Sequence, residues 1–467
     1  MSSASRTRQR GNQGRPAPNG RRGGGRSGGR PTGRPGGQGG RGGRGSRTAQ
    51  VAPEPQQQAA GPVRPKLPRK TGSFGPISTH HLVIIEIALA LVVAAAAIKA
   101  VLMVPAAIVG GLLVFLQLGR RRRHPLPEWM AIGRALKRRR RAFNGPPPAD
   151  IDSGFAPLLE ADPSLRTYEY EARDRRLVGF VGDGSFLTAL VQVDSAPGPL
   201  RPQGDARPLP VELLADALDV EDIHLESVQL VQYTQPAPAP HLPPQALAAQ
   251  AYAALQAQAG TPAVRMTWVA LKLDPELCPE AVEARGGDLR GAQRALLRAA
   301  DQLISRLNGR GFVAEVLDEN AVLSALSVAT CVNPRANLNA QSQQGRSGPR
   351  TEESVRAWRC DDRWHASYWI GTWPQLGRGG TPLGALASGL STTRTLATTF
   401  SVALARAGRE DVAVSGHVRL SARSENELGQ AKRELERAAS GLKAGLVRLD
   451  REQLPGLLAT LPLGGTR

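Results

Sequence analysis

Cysteine is scarce: three residues in 467, at Cys278, Cys331 and Cys360, with no CxxC pair and no Cys/His metal spacing. That excludes a disulfide framework and a zinc module, and leaves three reduced, buried thiols as the expectation. Aromatic residues are only 4% of the chain, and none precedes Phe74. An Arg/Gly-rich start without aromatic residues has no platform on which bases could stack. No GK[ST] phosphate loop and no recognisable Ser/His/Asp order is present, so nothing identifies an enzyme and no cofactor is expected.

Acids are nearly missing from the first third. Residues 1–141 hold 27 Arg/Lys and 3 acids, whereas residues 142–467 hold 33 and 37. The net charge of +20 therefore belongs to the tail and the segment after it, and the large remainder is slightly acidic. Residues 1–76 are low-complexity RGG and PEPQQQ sequence with almost no apolar side chains to bury, which predicts a disordered tail.

The chain is organised around Leu82–Leu118, 37 residues in which only Glu86, Lys99 and Gln117 are strongly polar. One straight helix of that length would reach about 55 Å at ~1.5 Å per residue, against a hydrocarbon core of about 30 Å. The expectation is a transmembrane hairpin with spans at about 80–98 and 102–118, within a segment 77–119. Basic flanks on both sides place both ends in the cytoplasm. The apolar turn KAVLMV keeps a single kinked helix open. Ala90/Ala94 and Ala107/Gly111 have the spacing that lets helices pack closely. Glu86 reads as an interfacial or partnered carboxylate.

Residues 120–165 read as a basic juxtamembrane helix and a linker. Arg120, Arg121, Arg122 and Arg123 form a stop-transfer cluster. From Pro127 a helix places Trp129, Ile132 and Leu136 on one face. Lys137, Arg138, Arg139, Arg140 and Arg141 end it as lipid-facing, membrane-anchoring cations.

Two α/β halves follow, 166–335 and 350–467. Gly182-Asp183-Gly184 is a hairpin turn, and VRMTWVALKLDP a buried strand. Leu289, Ala292, Leu296, Ala300, Leu303 and Leu307 stripe a helix. Ser424 and Glu427 form a capping box. Leu296, Leu303, Leu317-Asp318 and Leu326 recur 132 residues later as Leu428, Leu435, Leu449-Asp450 and Leu458, an internal duplication. CDDRWH, from Cys360 to His365, gathers a thiol, acids and an imidazole. Its strand–turn–strand pattern reads as structural. His80-His81 reads as anchoring.

The basic start, apolar run, Arg cluster and Gly-Asp-Gly hairpin resemble EccE, the membrane component of the actinobacterial type VII (ESX) secretion system. The most specific match is TWVALKLDP…EARGG…GAQRALLRAADQLISRLNGRGFVAEVLD, with Leu273-Asp274-Pro275, Arg285-Gly286-Gly287 and Leu317-Asp318. SVQLVQYTQPAPAP and Trp373-Pro374 are similar too. The resemblance covers about residues 77–465 and excludes the tail. It implies a non-catalytic scaffold subunit of the inner-membrane complex, beside EccB, EccC and EccD; the basic flanks themselves predict a cytoplasmic large domain and anionic lipid at the basic helix. The fold class is then membrane-anchored α/β (α+β), with the two halves carrying mixed sheets. A membrane-anchored enzyme acting on a lipid-linked or nucleotide substrate, and a nucleic-acid binder working through the RGG tail, are the alternatives.

Overall fold

The computed structural model describes residues 126–142, 151–195, 209–236, 264–342, 349–376, 380–407 and 411–465, with scattered residues in 73–125 and 246–251. A basic helix α1 (Leu126–Ala142) and a short buried helix α2 (Ala156–Ala161) come first. The first half then runs β1 (Arg166–Glu171), β2 (Leu177–Gly182), β3 (Leu187–Ser195), α3 (Val211–Asp216), β4 (Ser227–Gln235) and β5 (Val264–Leu273). It closes with α4 (Pro279–Glu283), α5 (Asp288–Gly309), β6 (Phe312–Val316) and α6 (Glu319–Thr330). After α7 (Pro334–Ser342), the second half runs β7 (Thr351–Glu353), β8 (Trp358–Cys360), β9 (Arg363–Thr372), α8 (Leu383–Ser391), β10 (Ala397–Arg406) and β11 (Val412–Ala422). It ends with α9 (Glu425–Gly441), β12 (Gly445–Arg448) and α10 (Gln453–Thr460).

The strand order is β7-β8-β9-β11-β10-β4-β5-β3-β2-β1, with β6 and β12 added to β3 and β9. Read outward from the centre, each half has the same order. The register repeats as well. Val191 pairs with Val269 and Val316 in the first half, and Tyr368 with Val418 and Arg448 in the second. Val231 faces Trp268, and Ser401 faces His417, so Val231 and Ser401 are counterparts. They are also partners across the central β4–β10 ladder, so a pseudo-twofold axis passes between them. The expected mixed sheets are corrected here. All named ladders of the large sheet are antiparallel, and the halves share one twelve-stranded sheet.

Helices cover both faces. Val269, Leu271 and Leu273 with Val418, Leu420 and Ala422 pack under α5 and α9. Leu190, Val231 and Trp268 pack on the other face with α2, α6 and α10. Alternation along each strand feeds two apolar cores. Helix starts are chemically marked: Asp318 accepts from Ala321 N at 2.7 Å, and Ser424 from Glu427 N at 3.2 Å. The last helix of each half reaches across the axis. Arg419 of the second half donates to the Ala329 carbonyl of α6. In return, Gln229 of the first half donates to Ala459 O of α10 at 3.0 Å and accepts from Gly464 N at 2.8 Å. Ser227 and Thr188 donate to the carbonyls of Gly464 and Leu463 at 2.7 and 3.2 Å.

The transmembrane hairpin is also corrected. Among the described residues no helix is long and apolar enough to cross a membrane. Glu86, Ala90 and Ala94 are helical and exposed, and Ala107 and Gly111 are helical; most other residues of 82–118, Lys99 and Gln117 included, lie outside the described residues. So do His80-His81 and nearly all of the tail, although Ser73–Phe74 pairs with Ile77–Ser78. The expected linker contains α2, because Leu158 and Leu159 find the second core.

Replacing Gln229 by Ala strands the amide of Gly464 and removes a donor from Ala459 O. The expected loss is about 1–3 kcal/mol for each stranded buried group, read as a lowered thermal midpoint of the full chain. An unchanged midpoint would show that the reciprocal clasp carries no stability.

Candidate functional site

α1 seats on the second half through charge and apolar contact together. Ile132 and Leu136 are buried, which is the face the helical spacing predicts. Arg139 grips Glu353 with two hydrogen bonds, Nε to Oε2 at 2.8 Å and Nη2 to Oε1 at 2.9 Å. It also donates to Arg451 O at 2.8 Å, while Arg140 Nε donates to Glu353 O at 2.7 Å. Glu353 Oε1 further accepts from Leu454 N at 3.1 Å, tying α1 to the start of α10. The Arg451 guanidinium lies 3.7 Å from the Trp129 ring centroid. Gly133 makes room for it, since a Cβ there would stand 2.7 Å from Arg451 Nη1.

This seat divides the expected lipid-facing residues. Arg139 is largely spent on Glu353, whereas Lys137, Arg138 and Arg141 are exposed. Arg140 is exposed but holds the Glu353 carbonyl. Arg120 and Arg121 pair with Pro125 and His124 in a two-residue ladder; Arg122 and Arg123 lie outside the described residues. Glu353 and Arg451, which anchor α1, carried no signal in the sequence, because they lie more than 200 residues from it.

The Cys360–His365 segment is taken apart by its hairpin. Register sets Cys360 opposite Arg363 and His365 opposite Trp358. Asp361 holds Arg350 at 2.9 and 2.7 Å, and Asp362 accepts from Asn333 Nδ2 at 2.8 Å. Burial pushes the Cys360 thiol well up. Burial, and then the Arg419 charge, pull His365 well below its ordinary range. Its Nδ1 lies 2.9 Å from Ser421 Oγ and 3.4 Å from Arg419 Nη1. Arg419 is wholly buried, and that burial lowers its pKa to about 10. A high-pKa thiol and a neutral imidazole in a closed core offer neither nucleophile nor base to a substrate. Among the described residues no group of His, Cys, Asp or Glu is arranged to hold a metal ion. All three cysteines are free and buried.

The other motif residues shape turns. Asp183 accepts from Ser185 N at 2.8 Å, and a Cβ on Gly182 would meet Phe186 O at 2.2 Å, while Gly184 has φ +93°. Leu273 is buried at the end of β5, Asp274 accepts from Glu276 N at 3.0 Å, and Pro275 opens a 3-10 turn. Arg285 forks onto Asp222 with two 2.7 Å bonds, and Gly286 and Gly287 take φ values of +111° and +67° before α5.

Residues 261–370 match the family model described as EccE, a putative type VII ESX secretion system translocon. The resemblance to EccE is shown over that stretch. It runs from β5 through α5, β6 and α6 into β9, and so spans the join between the halves. Leu273-Asp274-Pro275, Arg285-Gly286-Gly287 and Leu317-Asp318 lie inside it; SVQLVQYTQPAPAP and Trp373-Pro374 lie outside. The match covers about a quarter of the chain, less than the span read from the sequence. No curated protein matches the chain.

Two outcomes follow from these contacts. Glu353→Ala leaves half-buried Arg139 without its charge partner, at a cost of about 1–3 kcal/mol, and hydrogen exchange across 126–142 should rise. Arg141→Ala should leave it unchanged; equal effects would contradict the seat. His417 is buried, and burial alone lowers its pKa to about 4. The unfolded imidazole titrates near 6.5. Its stability term is full above about pH 6.5 and is lost as pH falls through the window toward 4, at about 1.4 kcal/mol per pH unit. His417→Leu should make the decline in stability shallower by that slope; an identical decline would contradict it.

Proposed function

We propose that the chain is a non-catalytic structural subunit of a type VII secretion translocon. The observation that carries this reading is the EccE match over residues 261–370. The architecture supports it. The polar groups that resemble a reactive site are spent on ion pairs and closed cores, and the large sheet with helices on both faces offers broad surfaces for other subunits. EccB-, EccC- and EccD-like proteins are the expected partners. The tail and the α/β part face the cytoplasm, and the exposed Lys137, Arg138 and Arg141 of α1 meet anionic lipid, where each charge contributes about 1 kcal/mol near the surface. Two structural bodies, 166–335 and 350–467, act together as one scaffold.

The test is a pull-down of tagged full-length protein from membranes in mild detergent, with mass spectrometry of what is retained. EccB, EccC and EccD homologues in one large assembly are expected. Recovery of the protein alone, or with lipid-biosynthesis enzymes, would overturn the reading.

A further inference from the structure

A cavity of about 370 Å³ opens between the halves on the face that carries α5 and α9. Leu230, Phe400 and Phe312 line its apolar floor and wall, and Leu383 at the start of α8 closes one side. Arg265, Gln232 and Thr267 enter it from the centre of the sheet. Nε and Nη2 of Arg265 and Oε1 of Gln232 are shut off from solvent, yet have no hydrogen-bond partner among the described residues. The acid on the rim, Asp194, accepts from Gln192 Nε2 at 3.1 Å instead.

The duplication supplies an internal comparison. By register, Arg265, Gln232 and Thr267 have Val414, Val402 and Gly416 as their counterparts. There the positions are apolar: Val402 is buried, Val414 is exposed, and a Cβ on Gly416 would meet the Trp373 indole at 2.5 Å. The fold therefore accepts valine where the first half keeps a guanidinium. Arg265 is half-buried, its enclosed Nε and Nη2 lose water without a counter-charge, which is costly, and that burial pulls its pKa down. Arg265 is the one cation among the lining residues, which fits a monoanion better than a phosphate dianion. Its Nε and Nη2 edge matches the two oxygens of a carboxylate. The Gln232 amide can turn its Nε2 toward the same group. The apolar walls require an apolar body on the ligand.

We propose that this cavity is a binding site for a medium-chain monocarboxylate, its head on Arg265 and its chain against Leu230, Phe312 and Phe400. The site stands apart from α1 and does not depend on the translocon reading.

The test uses the purified full chain in a neutral maltoside detergent and equilibrium dialysis with radiolabelled octanoate. Saturable binding is expected, weakened about tenfold or more in Arg265→Leu. Octanol, with the same chain and no charge, should compete about tenfold more weakly or worse against the wild type. The leucine variant imitates the second half, so it should fold; if it does not, the octanol comparison decides alone. Absence of saturable binding, equal competition by octanol, or full affinity in a folded Arg265→Leu protein would overturn the proposal.

Discussion

The antiparallel pairing of β4 with β10 is the constraint on which the rest depends. Ser227 to Thr234 run against Ala405 to Thr398, and this ladder joins two similar six-stranded blocks into one sheet. Without it each half would present a long unpaired edge, which is an aggregation hazard. The clasping helices strengthen the same join. α6 reaches the second half at Arg419, and the end of α10 reaches the first at Gln229, Ser227 and Thr188. Each half therefore completes the core of the other.

The two halves share topology and register but differ in the residues at matching positions. On one face, Arg419 and His417 of the second half stand opposite Ala270 and Trp268 in the repeat register. Buried Arg419 there holds α6, whereas the first half uses Gln229 and Ser227 to hold α10 and the residues after it. On the other face, Arg265 and Gln232 replace valines. At the sheet's ends, Glu353 of β7 carries α1, while its counterpart Thr167 of β1 bonds to Glu319 at 2.6 Å. The scaffold is symmetric in topology and asymmetric in what each position holds.

Local order was legible in the sequence, and long-range order was not. The α5 stripe, the Ser424 cap and the Asp361-Asp362 turn follow from neighbouring residues, so their positions could be read directly. The 132-residue repeat could be read because α5-β6-α6 and α9-β12-α10 carry no insertion relative to each other. The single sheet could not, since β4 and β10 lie about 170 residues apart and either half could have closed its own sheet. Likewise, Ile132 and Leu136 announce an apolar face on α1, but nothing near them announces Glu353. The apolar run at 82–118 suggested spans from composition alone, and among the described residues no helix is long and apolar enough to cross a membrane. In the candidate chemistry, CDDRWH places reactive types side by side, and only the register separates Cys360 from His365.

Hydrogen–deuterium exchange on the full-length protein in detergent tests the central claim of one shared sheet most directly. The account predicts that the amides of 227–235 and 397–406 are among the slowest in the chain, and that they open together with both flanking halves in one cooperative step. Fast exchange in those two strands, with residues 166–335 and 350–467 opening separately, would contradict it.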